Sequence, residues 1–80
     1  MRPDDLLNQL RKRPFQPFRL TLTDGRTDEV PHPELAMVGR STVIIGLARP
    51  GEAEPVFDRH VTVSLLHIMQ IEPTIPAEAP

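Results

Sequence analysis

The eighty residues predict a mainly β fold, in which one short N-terminal helix precedes five short, strongly bent strands that close into a small barrel. Three observations carry that expectation. An amphipathic leucine stripe is confined to the first dozen residues. One segment alternates cleanly and ends in Asp24-Gly25. Further apolar, β-branched segments are divided by proline- and glycine-containing breaks. Five bent strands in so short a stretch cannot bury two open sheets, and barrel closure removes the free edges that open sheets leave.

The elements follow in order. Asp4 to Arg13 reads as a helix, with Leu6, Leu7 and Leu10 on one stripe and Asn8, Gln9, Arg11 and Lys12 off it. Pro3, Asp4 and Asp5 suit its start, Arg11-Lys12-Arg13 suits its negative end, and Pro14 stops it. So short a helix is not stable alone, so the stripe must dock on something. Phe18 to Thr23 alternates with Phe18, Leu20 and Leu22 inward, and Asp24-Gly25 turns the chain. A three-residue loop, Thr23-Asp24-Gly25 with Gly25 left-handed, sets Phe18 opposite Val30 and buries Val30. A two-residue loop would expose it, so the longer loop is preferred.

Pro31-His32-Pro33-Glu34 interrupts the second strand, because prolines cannot sit in a central ladder. The strand resumes over Leu35 to Val38, and Gly39-Arg40-Ser41 turns the chain again. Thr42 to Leu47 is an unbroken apolar run, which implies burial on both faces or one face given to a partner. Arg49 to Pro55 reads as an exposed loop. Phe57, Arg59, Val61, Val63 and Leu65 then share one strand face. Ile68 and Ile71 cannot both face inward in one straight strand, so a 3₁₀ turn at Ser64–Leu66 is expected before a last strand over Ile68–Ile71. Residues 1–72 form one domain, and residues 73–80, proline- and alanine-rich, read as a disordered tail.

Composition excludes whole classes of function. With no Cys there is no disulfide scaffold, zinc-thiolate site or cysteine nucleophile. A chain this short buries only about 60–65% of its unfolded surface, so its core is marginal and self-association gains weight. No apolar run approaches the length of a membrane span, and the acidic residues near the start do not suit a signal peptide, so a soluble cytoplasmic protein is expected. The formal net charge of -2 averages a +3 balance over residues 1–20 with a -5 balance over residues 21–80.

Leu6-Leu7-Asn8-Gln9-Leu10-Arg11-Lys12-Arg13 resembles the amphipathic helix that precedes the barrel in Sm-like proteins, most nearly in their bacterial Hfq branch. Leu20 to Arg26 resembles the first strand and glycine turn of that fold, and Val61 to Pro73 its closing strand pair. The resemblance spans residues 4–73 and implies an Sm-like or SH3-like small barrel with a tendency to form rings. RNA-binding members carry an Asp/Asn-containing turn where this chain has His32-Pro33-Glu34. The Hfq branch has a Tyr-Lys-His run where this chain has Ser64-Leu65-Leu66-His67. No RNA-binding residue therefore carries over. Phe15-Gln16-Pro17-Phe18 and Val30 to Glu34 also resemble short uncharacterised bacterial proteins, which implies no activity.

Two groups of residues are candidates for function. Arg11, Lys12, Arg13 and Arg19 make a basic patch that could contact RNA phosphates, extended by Arg26 and Arg40. The simpler reading, a helix end with dipole-matched cations, is preferred, since Phe18 and Phe57 fall on predicted core faces and leave few platforms for bases. Val43, Ile44, Ile45, Leu66 and Ile68 are the candidate interface of a homo-oligomer. The alternative is that the helix covers that face within one chain. His32, His60 and His67 lack metal-ligand spacing, Asp28 and Glu29 point to opposite faces, and Ser41 and Ser64 have no base and orienter in sequence reach. No catalytic residue, metal, cofactor or small-molecule substrate is expected. The functional expectation is a non-catalytic, self-associating interaction module, with an RNA-binding ring as the alternative.

Overall fold

The computed structural model describes residues 1–48 and 56–74. Its elements are a helix α1 (Pro3–Leu10), strands β1 (Phe18–Leu22) and β2 (Thr27–Val30), and a 3₁₀ turn η1 (Pro33–Leu35). Then come β3 (Ala36–Val38), β4 (Thr42–Ala48), β5 (Phe57–Ser64), a second 3₁₀ turn η2 (Leu65–His67) and β6 (Ile68–Pro73). The fold is mainly β, with six strands in two antiparallel three-stranded sheets ordered β2-β1-β6 and β3-β4-β5. Neither sheet closes into a barrel among the described residues. The expected second strand is two strands, because Pro31 and Pro33 force η1 between them. The chain crosses between sheets twice, at η1 and at η2.

The helix is shorter than its sequence pattern suggests. Asp5 accepts the backbone N–H of Arg2 at 3.1 Å, and Pro3 occupies the first helical position, where a missing N–H costs nothing. The helix ends at Leu10 rather than Arg13, because Phe15 must come back to meet Phe18 edge-on, ring centres 6.0 Å apart. Arg11, Lys12 and Arg13 thus lie beyond the last turn. Arg13 still serves the helix end, donating to the carbonyls of Leu10 and Lys12 at 3.4 and 3.0 Å.

The first hairpin has the longer loop. Gly25 has φ +93°, its N–H donates to the Leu22 carbonyl, and Phe18 stands opposite Val30. Phe18, Leu20 and Leu22 from β1 meet Val43 and Ile45 from β4 and Val63 from β5, so one core joins both sheets. Leu6 closes it from α1, and Val30, Leu65 and Ile68 complete it. In β4, Val43 and Ile45 face this core and Ile44 faces away.

Two one-residue bulges move side chains from the faces that alternation predicts. Between Leu47 and Ala48 the pairing with β5 slips, so that Arg59 opposes Leu47 but Phe57 opposes Ala48. Phe57 is turned out of the expected core face onto the outer face of its sheet. Between Thr21 and Leu22 the pairing with β6 slips past Met69, which lets Ile68 and Ile71 both pack against the core. The expected 3₁₀ turn is present one residue later than predicted, with the Ser64 hydroxyl accepting the Leu66 N–H at 3.3 Å. That turn reconciles Leu65 with Ile68, while Ile71 needed the bulge. β6 continues through Pro73, opposite Phe18, one residue into the predicted tail. The expected loop over residues 49–55 and the rest of that tail, residues 75–80, lie outside the described residues.

Candidate functional site

The fold leaves Arg11, Lys12 and Arg13 in solvent and engages Arg19 and Arg26 with carboxylates. Arg11, Lys12 and Arg13 are exposed in the turn after α1. Arg19 points to the outer face of the first sheet, in register with Glu29 on β2 and Glu72 on β6. Its guanidinium lies 3.6 Å from the Glu29 carboxylate and 3.5 Å from that of Glu72. Two carboxylates around one cation leave a local charge that repels phosphate, so Arg19 does not extend the patch. Arg26 is likewise held by Asp24 at 2.9 Å. Of the three aromatic side chains, Phe18 is buried and Phe15 lies against it, whereas Phe57, expected on a core face, is exposed on the outer face of the second sheet, away from the basic residues that follow α1.

The five candidate interface residues separate into two groups. Val43, Ile45 and Ile68 are core residues, with at most 6% of their surface exposed, and are not available to a partner. Ile44 and Leu66 face out, Leu66 with 85% of its surface exposed. The helix does not cover Ile44; α1 plugs the core between the sheets through Leu6. Leu66 sits at the η2 corner, followed by Met69 at the bulge, itself 61% exposed. The strand leading to that corner, β5, pairs with β4 on one side and has no strand on the other among the described residues. β6 is equally a terminal strand of its sheet.

Ile44 belongs to a different surface. Across the outer face of the second sheet, Met37, Ile44 and Thr62 lie in one row, and Gly46 lies opposite His60 in the next. A trough of about 380 Å³ runs over this face, lined by Leu35, Met37, Ile44, Gly46 and Phe57, with Glu34 and His60 at its rim. The Phe57 ring lies on the Gly46 backbone. A Cβ built there would come 2.9 Å from the ring and 3.2 Å from Leu35, so a side chain at this position must displace the ring. Leu35 is 3% exposed yet stands outside the main core, where it backs the trough. Sequence reasoning missed Met37, Gly46 and Phe57. One signal was available: a glycine inside an apolar strand marks a place where something must approach the backbone closely.

A second, polar crevice of about 410 Å³ lies between the hairpin turn and the end of β5, lined by residues that include Thr23, Asp24, Arg26, Ser64 and His67. The Thr23 hydroxyl and His67 Nδ1 are 3.4 Å apart. Asp24 is held below the ordinary aspartate value, chiefly by the backbone N–H of Arg26 that donates to it at 3.0 Å. The Ser64 hydroxyl oxygen accepts the Leu66 N–H at the η2 cap. His32, His60 and His67 stand apart, at the start of η1, in the trough rim and on η2. Among the described residues no three His, Asp or Glu side chains gather as a metal site would need, and no helix is long and apolar enough to cross a membrane.

No protein-family model matches this chain, and no curated protein or solved structure is significantly similar to it. The surfaces above have to be read from their own geometry.

Proposed function

We propose that the chain is a non-catalytic interaction module, an Sm-like or SH3-like small barrel that self-associates through the edges of β5 and β6. In this reading β2 and β3 are one strand bent at η1, which gives five strands around the single core that both sheets share. The observation that carries self-association is an asymmetry between edges. The β2 and β3 edges are short and flanked by Pro31 and Pro33, which blunts them against pairing. β5 is the longest strand, contains no proline, and leads straight to the exposed Leu66 and Met69. Pairing this edge with the β6 edge of another copy satisfies its backbone groups and covers both side chains. The small core supplies the thermodynamic motive.

Sizing with light scattering on the full chain tests the reading. The expected result is an oligomer that Leu66→Lys with Met69→Lys converts to a folded monomer, with an unchanged circular dichroism spectrum. A wild-type monomer at every concentration overturns it. Because the chain has no Trp or Tyr, its own absorbance at 280 nm is close to nil and bound RNA is conspicuous. RNA that co-purifies and is lost on replacing Arg11, Lys12 and Arg13 with Ala would establish the RNA-binding alternative instead.

A further inference from the structure

We propose that the trough on the outer face of β3, β4 and β5 docks a protein segment presenting one bulky apolar side chain beside a lysine or arginine. The inference rests on the chain being an interaction module, and not on its self-association. The apolar half of the argument is the lining. Met37, Ile44 and Phe57 all stand out from a sheet whose inner face already fills the core, 65%, 37% and 51% exposed. The sheet spends three large apolar side chains on solvent, and Gly46 keeps space for the Phe57 ring to lie flat beneath an occupant.

The charged half is Glu34. Glu29 and Glu72 are matched by Arg19 and Asp24 by Arg26, while Asp28 lies on β2 of the other sheet, away from the trough lining. Glu34 lines the trough, is exposed, and has no hydrogen bond or ion pair among the described residues, so its field selects a cation beside the apolar group. The shape favours a chain segment over a small molecule. Small-molecule sites enclose most of their ligand. Here Met37 and Phe57 remain half exposed along an open face, which a segment laid across the strands covers.

The absence of Trp and Tyr makes the test direct, because a probe tryptophan is read without background. Two capped peptides are titrated into the full chain at pH of about 8 and low salt: Gly-Ser-Trp-Lys-Ser-Gly, and the same sequence with Glu in place of Lys. The expected result is a saturable blue shift of tryptophan emission, with the Lys peptide about fivefold tighter than the Glu peptide. Glu34→Gln brings the two within about twofold of each other. Ile44→Asp abolishes both titrations. Met37→Asp, at a more exposed position, does the same and stands in if Ile44→Asp does not fold. No saturable shift, equal affinity for the two peptides, a ratio that survives Glu34→Gln, or binding that survives the aspartate variants overturns the proposal. Light scattering on the same samples separates the two readings. An oligomer that persists in Met37→Asp while peptide binding is lost supports a docking face distinct from the self-association edge. Dispersal of the oligomer by Met37→Asp shows that a second copy occupies the trough, and overturns the proposal while self-association stands.

Discussion

Ile44 and Ile45 are neighbours in sequence on opposite faces of β4, and replacing each with Ala should give very different losses. Ile45 is fully buried in the core, while Ile44 is 37% exposed over the trough. Ile45→Ala removes three buried carbons, about 2.4 kcal/mol at roughly 0.8 kcal/mol each. The cavity left between two rigid sheets raises this to about 3–4 kcal/mol. Ile44→Ala removes the same atoms from a face that water already reaches, and no closed cavity forms, so about 1 kcal/mol or less is expected. A chain of this length has a total stability of about 4–12 kcal/mol, so the first loss consumes a large share of it. It should lower Tm by about 12–25 °C, against a few degrees for the second. Urea titrations followed by far-ultraviolet circular dichroism, at one fixed protomer concentration, measure both. Equal losses, or a larger loss at Ile44, would refute the assignment of faces in β4 and with it the trough.

Three further outcomes follow from the same geometry. Gly25→Ala should destabilise by about 1 kcal/mol through its positive φ alone, since nothing lies within 4 Å of a Cβ placed there, and Gly25→Asn should cost less. Arg19→Met leaves Glu29 and Glu72 facing each other across β1. Its cost, about 0.5–1 kcal/mol at low salt, should shrink as salt is added, and a salt-independent loss would point to packing instead. Asp24, whose folded value is depressed, stabilises the hairpin above the ordinary aspartate range, and that contribution is lost as pH falls through the lower folded midpoint. In Arg26→Ala the carboxyl should still titrate below the ordinary value by NMR, because the backbone N–H remains; a full return to that value would assign the effect to the guanidinium.

Parity and turn chemistry were legible in the sequence wherever a strand ran straight. Phe18, Leu20 and Leu22 alternate without interruption, so a choice between two loop lengths followed from asking where Val30 must point. The break at Pro31 and the 3₁₀ corner before Ile68 were legible for the same reason: proline chemistry and apolar spacing leave few alternatives. The trough was not legible, and the cause is one residue. The slip at Leu47/Ala48 turns Phe57 from inside to outside, and nothing in Val56-Phe57-Asp58-Arg59 distinguishes a bulge from a continuous strand. Met69 is the same case on β6. The fate of Arg19 was hidden too, since its two carboxylates come from segments ten and more than fifty residues away and meet only through strand register.

A short chain with few large apolar residues shows its priorities by where it leaves them. Eleven hydrophobic residues are buried among the described residues, and six large ones, Met37, Ile44, Val56, Phe57, Leu66 and Met69, are exposed. Scattered singly, six would call for no explanation. Five of the six are not scattered: Met37, Ile44 and Phe57 share one sheet face, and Leu66 and Met69 share the corner and bulge that follow β5. Each group borders a strand whose other face the core already uses. Proline placement agrees. Pro31 and Pro33 guard the edge at β2 and β3, whereas the edge at β5 has none. Moving a proline from the guarded edge to the unguarded one, for example Thr62→Pro together with Pro31→Ala, should redirect or abolish association while the trough still binds its probe. If association survives unchanged, the edges are not what joins the copies.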